Sequence, residues 1–349
     1  MMVEIPDKDI LLFKSCLVSV EYPGIESSTK YVFDKIGVDY HIDKGQTCCT
    51  GLGHYSDVFD QLSTTVNGAR HFALAKKLNR PNFVTMCATC YAINKKCGEL
   101  LNTDENLRNK VNNIFDKSGY GWMKYTQGDI VPEENIFHIV DIFYSKRREI
   151  AENLVYDLSD IVMATHHGCH YYKAHYKEDI TSIRNPHILD DVIQSLGVNT
   201  IGWYDFKRAT CGSGISQRFV HKESCLDATE DKLKSLKDNN TDLLVHLCPN
   251  CQVQFDRYQP YIDETRDKNY GFAHLNIAQL VALALGGDPY KVLGIQTHTC
   301  PVEPIINKLK PISNKRKEEI IKHLDERIEF ESSPEYNVDM DPEPFVFTG

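Results

Sequence analysis

The sequence predicts an α/β protein made of two similar halves, each a small, mainly parallel sheet flanked by helices. Short apolar stretches alternate with longer amphipathic ones, as strands alternate with helices in parallel sheets. A fixed order of cysteines in residues 16–90 recurs in residues 169–251, which indicates an internal duplication. The two halves are therefore expected to be related by a pseudo-two-fold axis.

The first half is assigned to residues 1–150. Residues 10–13 are predicted to form a buried strand, and residues 26–36 carry an apolar stripe of helical spacing that ends at Gly37. The remaining expectations are strands at 38–42 and 82–86, a tight loop at 45–53, and helices at 64–78, 90–101 and 136–144. Residues 102–134 are polar and charged and are expected to form a helix and a surface excursion between the halves.

The second half is assigned to residues 151–310 and is expected to repeat this order. It comprises predicted strands at 161–165, 200–204 and 242–247, a loop at 210–214, and helices at 186–196, 222–237 and 275–285. A third segment, residues 311–349, begins with a charged helix at 311–328. Its last part is acidic and contains prolines, which is typical of a flexible tail.

Five cysteines of the first half lie at or just after predicted strand ends: Cys16, Cys48, Cys49, Cys87 and Cys90. Ligands bind at this edge of a parallel sheet, so the five thiols are expected to share one site. The spacing of Cys87 and Cys90 lets two thiolates reach one metal, whereas adjacent cysteines diverge and reach two irons of one cluster. Because a cubane cluster or a structural zinc takes only four ligands, the pattern favours an unusual iron–sulfur site.

The second half repeats the cysteine pattern with one substitution. The cysteines that repeat the pattern are Cys169, Cys211, Cys248 and Cys251, and Thr210 stands where the first half has Cys48. A threonine hydroxyl is harder than a thiolate and is protonated at neutral pH, so it is a poor ligand for iron in a sulfide cluster.

Composition and charge argue against several functional classes. The 349 residues carry a net charge of −10, which disfavours a nucleic-acid partner. The longest mostly apolar run, residues 275–285, is too short to span a membrane, and no secretory signal opens the chain. Reduced, metal-bound thiols and a cytoplasmic location are therefore expected, rather than disulfides.

These motifs together resemble the tandem cysteine-rich CCG domains of the B subunit of CoB–CoM heterodisulfide reductases from methanogens. The resemblance covers about residues 10–310 and rests on Cys16, Cys48-Cys49, Cys87-x-x-Cys90-Tyr91, His167-Gly-Cys169-His170, Cys211-Gly212-x-Gly214, Cys248-Pro-x-Cys251 and the run Gln254-Phe255-Asp256-Arg257. It implies that each array holds a non-cubane [4Fe-4S] cluster and that a mixed disulfide is split between the two clusters.

The resemblance also implies partners. Electrons would arrive from a ferredoxin-type iron–sulfur subunit, similar to the C subunit, and from a flavin-bearing subunit of a larger complex. The chain has no Gly-x-Gly-x-x-Gly fingerprint and no P-loop, which agrees with electron delivery by protein contact. Because of Thr210, the second site stays open to a non-cubane cluster lacking one ligand, a cubane cluster or zinc.

Several other residues have both structural and functional interpretations. Cys97, Cys225 and Cys300 have no spaced partner and are predicted to be buried small hydrophobes. Histidines near the cysteines (His54, His166, His167, His170 and His246) are expected to donate hydrogen bonds to sulfur, with His167 the first choice for proton donor to a leaving thiolate. Arg218 and Arg257 are candidates for holding an anionic substrate group.

Three hypotheses follow from these residues. The first is a catalytic subunit that reduces a disulfide. The second is a non-catalytic electron-transfer or docking subunit of a related fumarate-, quinone- or sulfur-linked complex. The third is a protein with two structural zinc sites, which leaves Cys48 or Cys49 without a role.

Overall fold

The computed structural model describes residues 4–174, 181–214 and 217–338, and it confirms the α/β fold class. The elements of the first half are, in chain order, β1 (Ile10–Phe13), α1 (Cys16–Val20), α2 (Pro23–Ile36), β2 (Tyr40–His41), α3 (Gly51–Tyr55), α4 (Gln61–Lys77), β3 (Asn82–Thr85), α5 (Ala88–Thr103), α6 (Glu105–Lys117), α7 (Pro132–Asn135), β4 (Ile136–His138) and α8 (Ile139–Ser145).

The second half and the C-terminal segment follow in the same chain order. Their elements are α9 (Arg147–Glu152), β5 (Tyr156–Asp157), β6 (Met163–His166), α10 (Cys169–Ala174), α11 (Ile188–Gln194), α12 (Gln217–Val220), α13 (Lys222–Asp238), β7 (Leu243–His246), α14 (Pro249–Thr265), β8 (Ala273–Asn276), α15 (Ile277–Ala284), α16 (Glu303–Ile306), β9 (Lys310–Pro311) and α17 (Asn314–Glu331).

The two sheets have the same strand order. In the first sheet β2, β1, β3 and β4 lie side by side and are parallel throughout. In the second, β6, β7 and β8 are parallel, and an isolated parallel bridge between Met163 and Thr200 occupies the place that β2 has in the first. The central strands are buried along their whole length, as expected for parallel sheets covered by helices on both faces.

The halves pack through reciprocal helix contacts. Helix α2 packs on α15, and its counterpart α11 packs on α8. In the same way α10 packs on α5, and its counterpart α1 packs on α14. Each half therefore presents the same pair of surfaces to the other, which is the arrangement that a pseudo-two-fold axis produces.

One difference from the sequence-based expectation recurs in both halves. Residues 136–144 and 275–285 were expected to be helices, but each begins as a strand, β4 or β8, and turns directly into a helix. Side chains at the strand ends cap these helices: His138 Nδ1 accepts from the N–H of Val140, and Asn276 Oδ1 accepts from the N–H of Ala278. This direct capping removes the loop that would have signalled the change of structure.

Other boundaries differ by a few residues. Residues 200–204 were expected to form a strand and make only the Thr200 bridge. The predicted tail begins later than expected, since α17 continues to Glu331, and residues 339–349 lie outside the described part of the chain. The domain limits at residues 150 and 310 stay predictions. Among the described residues, no helix has the length and apolar character needed to cross a bilayer.

The C-terminal helix lies across the junction of the halves. α17 packs on α9, and Ile320 lies against Gly197 of the second half. The buried Arg147 guanidinium contacts the Glu331 carboxylate through both terminal nitrogens, at 3.0 and 2.5 Å. β9 pairs with β5 in an antiparallel ladder, which fixes the start of the segment.

Candidate metal centres at the interface of the two halves

The first array is assembled by three strand ends. Cys16 begins α1 just after β1, Cys87 is the N-cap residue of α5, and Cys90 lies in its first turn. The Sγ atoms of Cys16 and Cys48 are 3.6 Å apart. Cys49 contacts both Cys48 and Cys90 through its side chain, and Cys90 contacts Cys87. All five predicted thiols thus lie together.

Backbone amides of the cysteine-pair loop point at its sulfurs. The N–H of Thr50 donates to Cys48 Sγ at 3.3 Å, and the N–H of Gly51 donates to Cys49 Sγ at 3.4 Å. Thr50 adopts the left-handed conformation, with φ of 62°, which turns these amides toward the thiols. Backbone amides of this kind offset the negative charge of sulfur in a cluster.

The second array uses equivalent positions. Cys169 begins α10, Cys248 is the N-cap residue of α14, and Cys251 lies in its first turn, in side-chain contact with Cys211 and Cys248. Gly212 has φ of 89°, and a Cβ there would lie 2.4 Å from the carbonyl oxygen of Cys225, so the tight loop requires glycine.

Thr210 takes the structural place of Cys48. The N–H of Gly212 lies 3.4 Å from Thr210 Oγ1, just as the N–H of Thr50 donates to the sulfur of Cys48. The side chain at this position is therefore held in the same way in both halves. What differs is the chemistry, because a hydroxyl replaces a thiolate.

The two arrays meet directly. Cys87 Sγ and Cys248 Sγ, one from each half, are 3.9 Å apart across the interface. Cys169, the remaining member of the second array, interacts electrostatically with Cys211 and Cys248. The nine predicted thiols therefore form one continuous set that spans both halves.

The crowding of thiols shifts their pKa values in opposite directions. Contacts with the thiols of Cys16 and Cys49 lower the pKa of Cys48 to about 2, while the contact with Cys48 and burial raise the pKa of Cys16. In the second array the contacts with Cys251 and Cys87 lower the pKa of Cys248 well below its ordinary value. Neighbouring thiols thus oppose one another's ionisation, and bound iron or another soft cation would stabilise the thiolate forms.

A cavity of about 280 Å³ opens between the halves beside the second array. All four cysteines of that array line it, together with Thr210, and the first half contributes Tyr55, Ala88 and Thr89. His170 and Lys173 of α10 also line it, and His170 Nδ1 is 3.1 Å from Thr89 Oγ1. The cavity thus brings thiols, a histidine and a lysine around one space.

The cysteine-rich domain family named CCG matches residues 10–93 and 163–256, once in each half. The chain belongs to the CCG cysteine-rich domain family. The matches contain both arrays, including Thr210, and their positions agree with the duplication that the two sheets display.

Relatives of this CCG protein are known by sequence. It is 47% identical over 304 residues to the B subunit of a ferredoxin:CoB-CoM heterodisulfide reductase from Methanosarcina acetivorans, a match that covers 87% of this chain and 97% of the relative. It is 25% identical to the 8-methylmenaquinol:fumarate reductase membrane anchor subunit of Wolinella succinogenes, over 82% of this chain and 95% of that one.

The fold also has a solved counterpart. A hypothetical protein from Helicobacter pylori superposes with a TM-score of 0.65 at 16% identity, over 86% of this chain and 53% of the other. At this identity the likeness concerns the fold of the CCG protein alone.

His167 does not line the cavity between the two CCG domains. Its Nε2 accepts from the N–H of Leu189 at 3.3 Å and lies 3.5 Å from the Asp190 carboxylate. Burial, with the nearby positive charge of Lys207, lowers its pKa well below the ordinary value, so the ring is neutral. The role of His167 as proton donor stays a prediction.

The other candidate residues have defined surroundings. Cys97, Cys225 and Cys300 are buried, as predicted. Arg218 donates to Ser213 Oγ and Asn250 Oδ1, two residues that line the cavity, whereas Arg257 donates to the carbonyl of Thr297 and lies 3.5 Å from Glu21. Arg218 is thus the better placed of the two to act near the cavity.

Sequence reasoning missed Lys232, which is fully buried in α13 and whose Nζ lies 3.0 Å from His166 Nδ1. A ring nitrogen of His166 lies within 4.8 Å of the sulfurs of Cys211 and Cys251. The sequence did carry a signal for the burial of Lys232, because it lies in the helical stripe of α13 with Thr229, Leu233 and Leu236.

Thr210→Cys is expected to alter the spectrum of the second metal centre and leave that of the first unchanged. The new thiol would occupy the place that Cys48 has in the first half and add a fifth soft ligand. Thr210→Val is the matched control, because it removes the hydroxyl without adding a ligand and should leave the spectrum as it is. Electron paramagnetic resonance of both variants measures this, and an unchanged spectrum in Thr210→Cys would contradict the assignment.

Proposed function

We propose that this protein is the iron–sulfur subunit of a heterodisulfide reductase-type complex and that it reduces a disulfide, similar to CoM-S-S-CoB, to two thiols. The observation that carries the proposal is the meeting of the two arrays at Cys87 and Cys248, with a cavity beside them. The 47% identity to the B subunit of a heterodisulfide reductase supports it.

The thiols fit iron–sulfur ligation. Cys16, Cys48, Cys49, Cys87 and Cys90 would hold a non-cubane [4Fe-4S] cluster, and Cys169, Cys211, Cys248 and Cys251 would hold a second cluster. The second is proposed as a [4Fe-4S] cluster rather than zinc, since amides and buried thiols surround both arrays in equivalent ways. When bound, the clusters supply electrons to the disulfide one at a time.

The reaction consumes two electrons and two protons: R–S–S–R′ becomes RSH and R′SH as the sulfur–sulfur bond breaks. In the cavity Lys173 would attract an anionic group of the substrate, and Arg218 would hold Ser213 and Asn250 in place. His170 and Lys173 border the space in which the thiolates form, so the geometry favours them over His167 as the source of protons.

The electrons are proposed to come from partner subunits. The chain has no nucleotide-binding motif of its own, so an iron–sulfur subunit of ferredoxin type, supplied by a flavin-bearing subunit, would deliver them by contact. We place the complex in the cytoplasm, where thiols stay reduced.

A test uses the complex reconstituted anaerobically with its electron-transfer partner. Lys173→Met is expected to raise the KM for an anionic disulfide about threefold, with kcat little changed, because Lys173 is exposed and an exposed ion pair is worth about 0.7 kcal/mol. Lys315→Met, at an exposed position of α17, is the control and should leave KM unchanged. An unchanged KM in Lys173→Met would contradict the proposed substrate position.

A second candidate function is a non-catalytic electron-transfer subunit. Thr210, which removes one thiolate from the second array, favours it, and so does the likeness to a membrane anchor subunit of a fumarate reductase. Addition of a disulfide or thiol distinguishes the two functions. A catalytic subunit should show an altered metal-centre spectrum, and an electron-transfer subunit should show none.

A further inference from the structure

Lys232 and His71 occupy the same position in the two halves. Helices α4 and α13 each begin 26 residues before the first cysteine of the Cys-x-x-Cys pair (61 to 87 and 222 to 248), and these two side chains are the eleventh residue of their helix. The facing strands correspond as well, since β1 ends with Phe13 and β6 ends with His166. A buried Phe–His pair in the first half is thus replaced by a buried His–Lys pair in the second.

Three polar atoms surround the buried Nζ of Lys232. It lies 3.0 Å from His166 Nδ1 and donates to the carbonyls of Lys207 at 3.1 Å and Ala209 at 2.9 Å. An ammonium here directs one N–H to each of these atoms and requires the His166 proton on Nε2, whereas a neutral amine requires that proton on Nδ1. Burial lowers the pKa of Lys232 to about 7, and the negative charge of Cys211 and Cys251 acts in the opposite direction.

The same contact determines what His166 can do. When Lys232 is an ammonium it has only N–H donors, so Nδ1 accepts and the neutral ring carries its proton on Nε2. Nε2 is buried and has no hydrogen-bond partner among the described residues, and a ring nitrogen lies within 4.8 Å of the Cys211 and Cys251 sulfurs. In this tautomer His166 can donate a hydrogen bond from Nε2 to sulfur, and a protonated ring nitrogen does not bind a metal.

The first half has no such cation at this position. His71 Nε2 accepts from the N–H of Thr47 at 3.2 Å, and burial lowers its pKa to about 3, so the ring is neutral. Phe13 packs edge-on against it, with ring centroids 4.9 Å apart. The second site thus differs from the first by one thiolate fewer, at Thr210, and by one buried ammonium more.

We propose that Lys232, acting through His166, makes the second metal site the more easily reduced of the two. This inference rests on the proposed iron–sulfur function. An electron added to a cluster is stabilised by nearby positive charge and by hydrogen bonds to sulfur, and it is opposed by each additional thiolate. The missing thiolate, the buried Lys232 and the His166 hydrogen-bond donor act in the same direction at the second site. Arg70 of the first half donates to Thr47 Oγ1 beside Cys48 but is partly exposed, so water screens its charge more than that of Lys232. Lys232 is a positioning residue, since it orients and polarises His166.

An anaerobic redox titration of the metal-loaded protein, followed by electron paramagnetic resonance, tests the inference without any substrate. Two midpoints are expected, and the higher should belong to the signal that Thr210→Cys alters. Lys232→Met should lower only that midpoint. At a potential equal to the wild-type midpoint, the ratio of reduced to oxidised centre should fall about tenfold. Lys232→Arg keeps the charge and should restore most of the ratio.

A matched variant follows from the duplication. His166→Phe introduces the residue type that the first half has at this position, Phe13, and should also lower the higher midpoint. His71→Leu should leave that midpoint unchanged. If Lys232→Met does not fold, the order of the two wild-type midpoints decides. A higher midpoint at the first site, or an unchanged midpoint in a folded Lys232→Met protein, would overturn the inference. Failure of disulfide reduction with these midpoints as expected would overturn only the proposed function.

Discussion

Replacing Cys49 with serine is expected to abolish the metal centre of the first array and to leave that of the second in place. Cys49 is buried, contacts Cys48 and Cys90, and accepts a hydrogen bond from the N–H of Gly51 at 3.4 Å. A serine hydroxyl would be a hard, protonated donor at the centre of this set. The iron content should fall to roughly half, since one of two [4Fe-4S] clusters is lost.

Cys97→Ser is the matched control. Cys97 is equally buried in the first half, but its Sγ lies 3.7 Å from the carbonyl of Thr64 and belongs to no array. Its replacement should leave the iron content unchanged. Full iron in Cys49→Ser, or an equal loss in both variants, would contradict the assignment of Cys49 as a ligand.

Arg147→Met is expected to destabilise the protein by about 3 kcal/mol, because removing one partner leaves the buried Glu331 carboxylate poorly compensated. The exposed fractions of the two side chains are 5% and 8%, and the contact is bidentate. Arg327 Nε also donates to Glu331 at 2.7 Å, which places the loss at the lower end of the range for buried pairs. A urea titration of the metal-loaded protein gives the change in the free energy of unfolding.

The neighbouring arginine provides the comparison. Arg148 lies next to Arg147 in α9 but is 50% exposed, and it pairs with Glu152 and Asp325 at the surface. Arg148→Met should leave the free energy of unfolding nearly unchanged, since water screens exposed pairs. Equal losses in the two variants would show that the docking of α17 does not depend on the buried pair.

Most of the fold was predictable because local patterns and the duplication agreed. The apolar run of residues 10–13 and the helical stripe that ends at Gly37 have clear signals, and the structure reproduces both. Residues 136–144 and 275–285 were assigned wrongly as single helices. Both segments are buried on all sides and include the buried polar residues His138, Asp141, Asn276 and Gln279, so their periodicity does not separate a buried strand from a buried helix.

The sequence predicted the cysteines of the site but not how the two halves bring them together. Chain order and strand ends predicted which cysteines gather, since parallel strands carry their ligands to one edge. The approach of Cys87 to Cys248 and the cavity beside them depend on how the halves pack, which no local pattern specifies. The sequence analysis did not single out Lys232, although it lies on the buried stripe of α13, and its contact with His166 of β6 depends on tertiary packing.

The central claim is that the nine thiols hold iron and sulfide, and metal analysis of the anaerobically purified protein tests it most directly. Iron, acid-labile sulfide and zinc should be measured on the same sample. The account predicts roughly eight iron and eight sulfide per chain, as two [4Fe-4S] clusters require, with no stoichiometric zinc. Zinc at one or two per chain, without iron or labile sulfide, would contradict it.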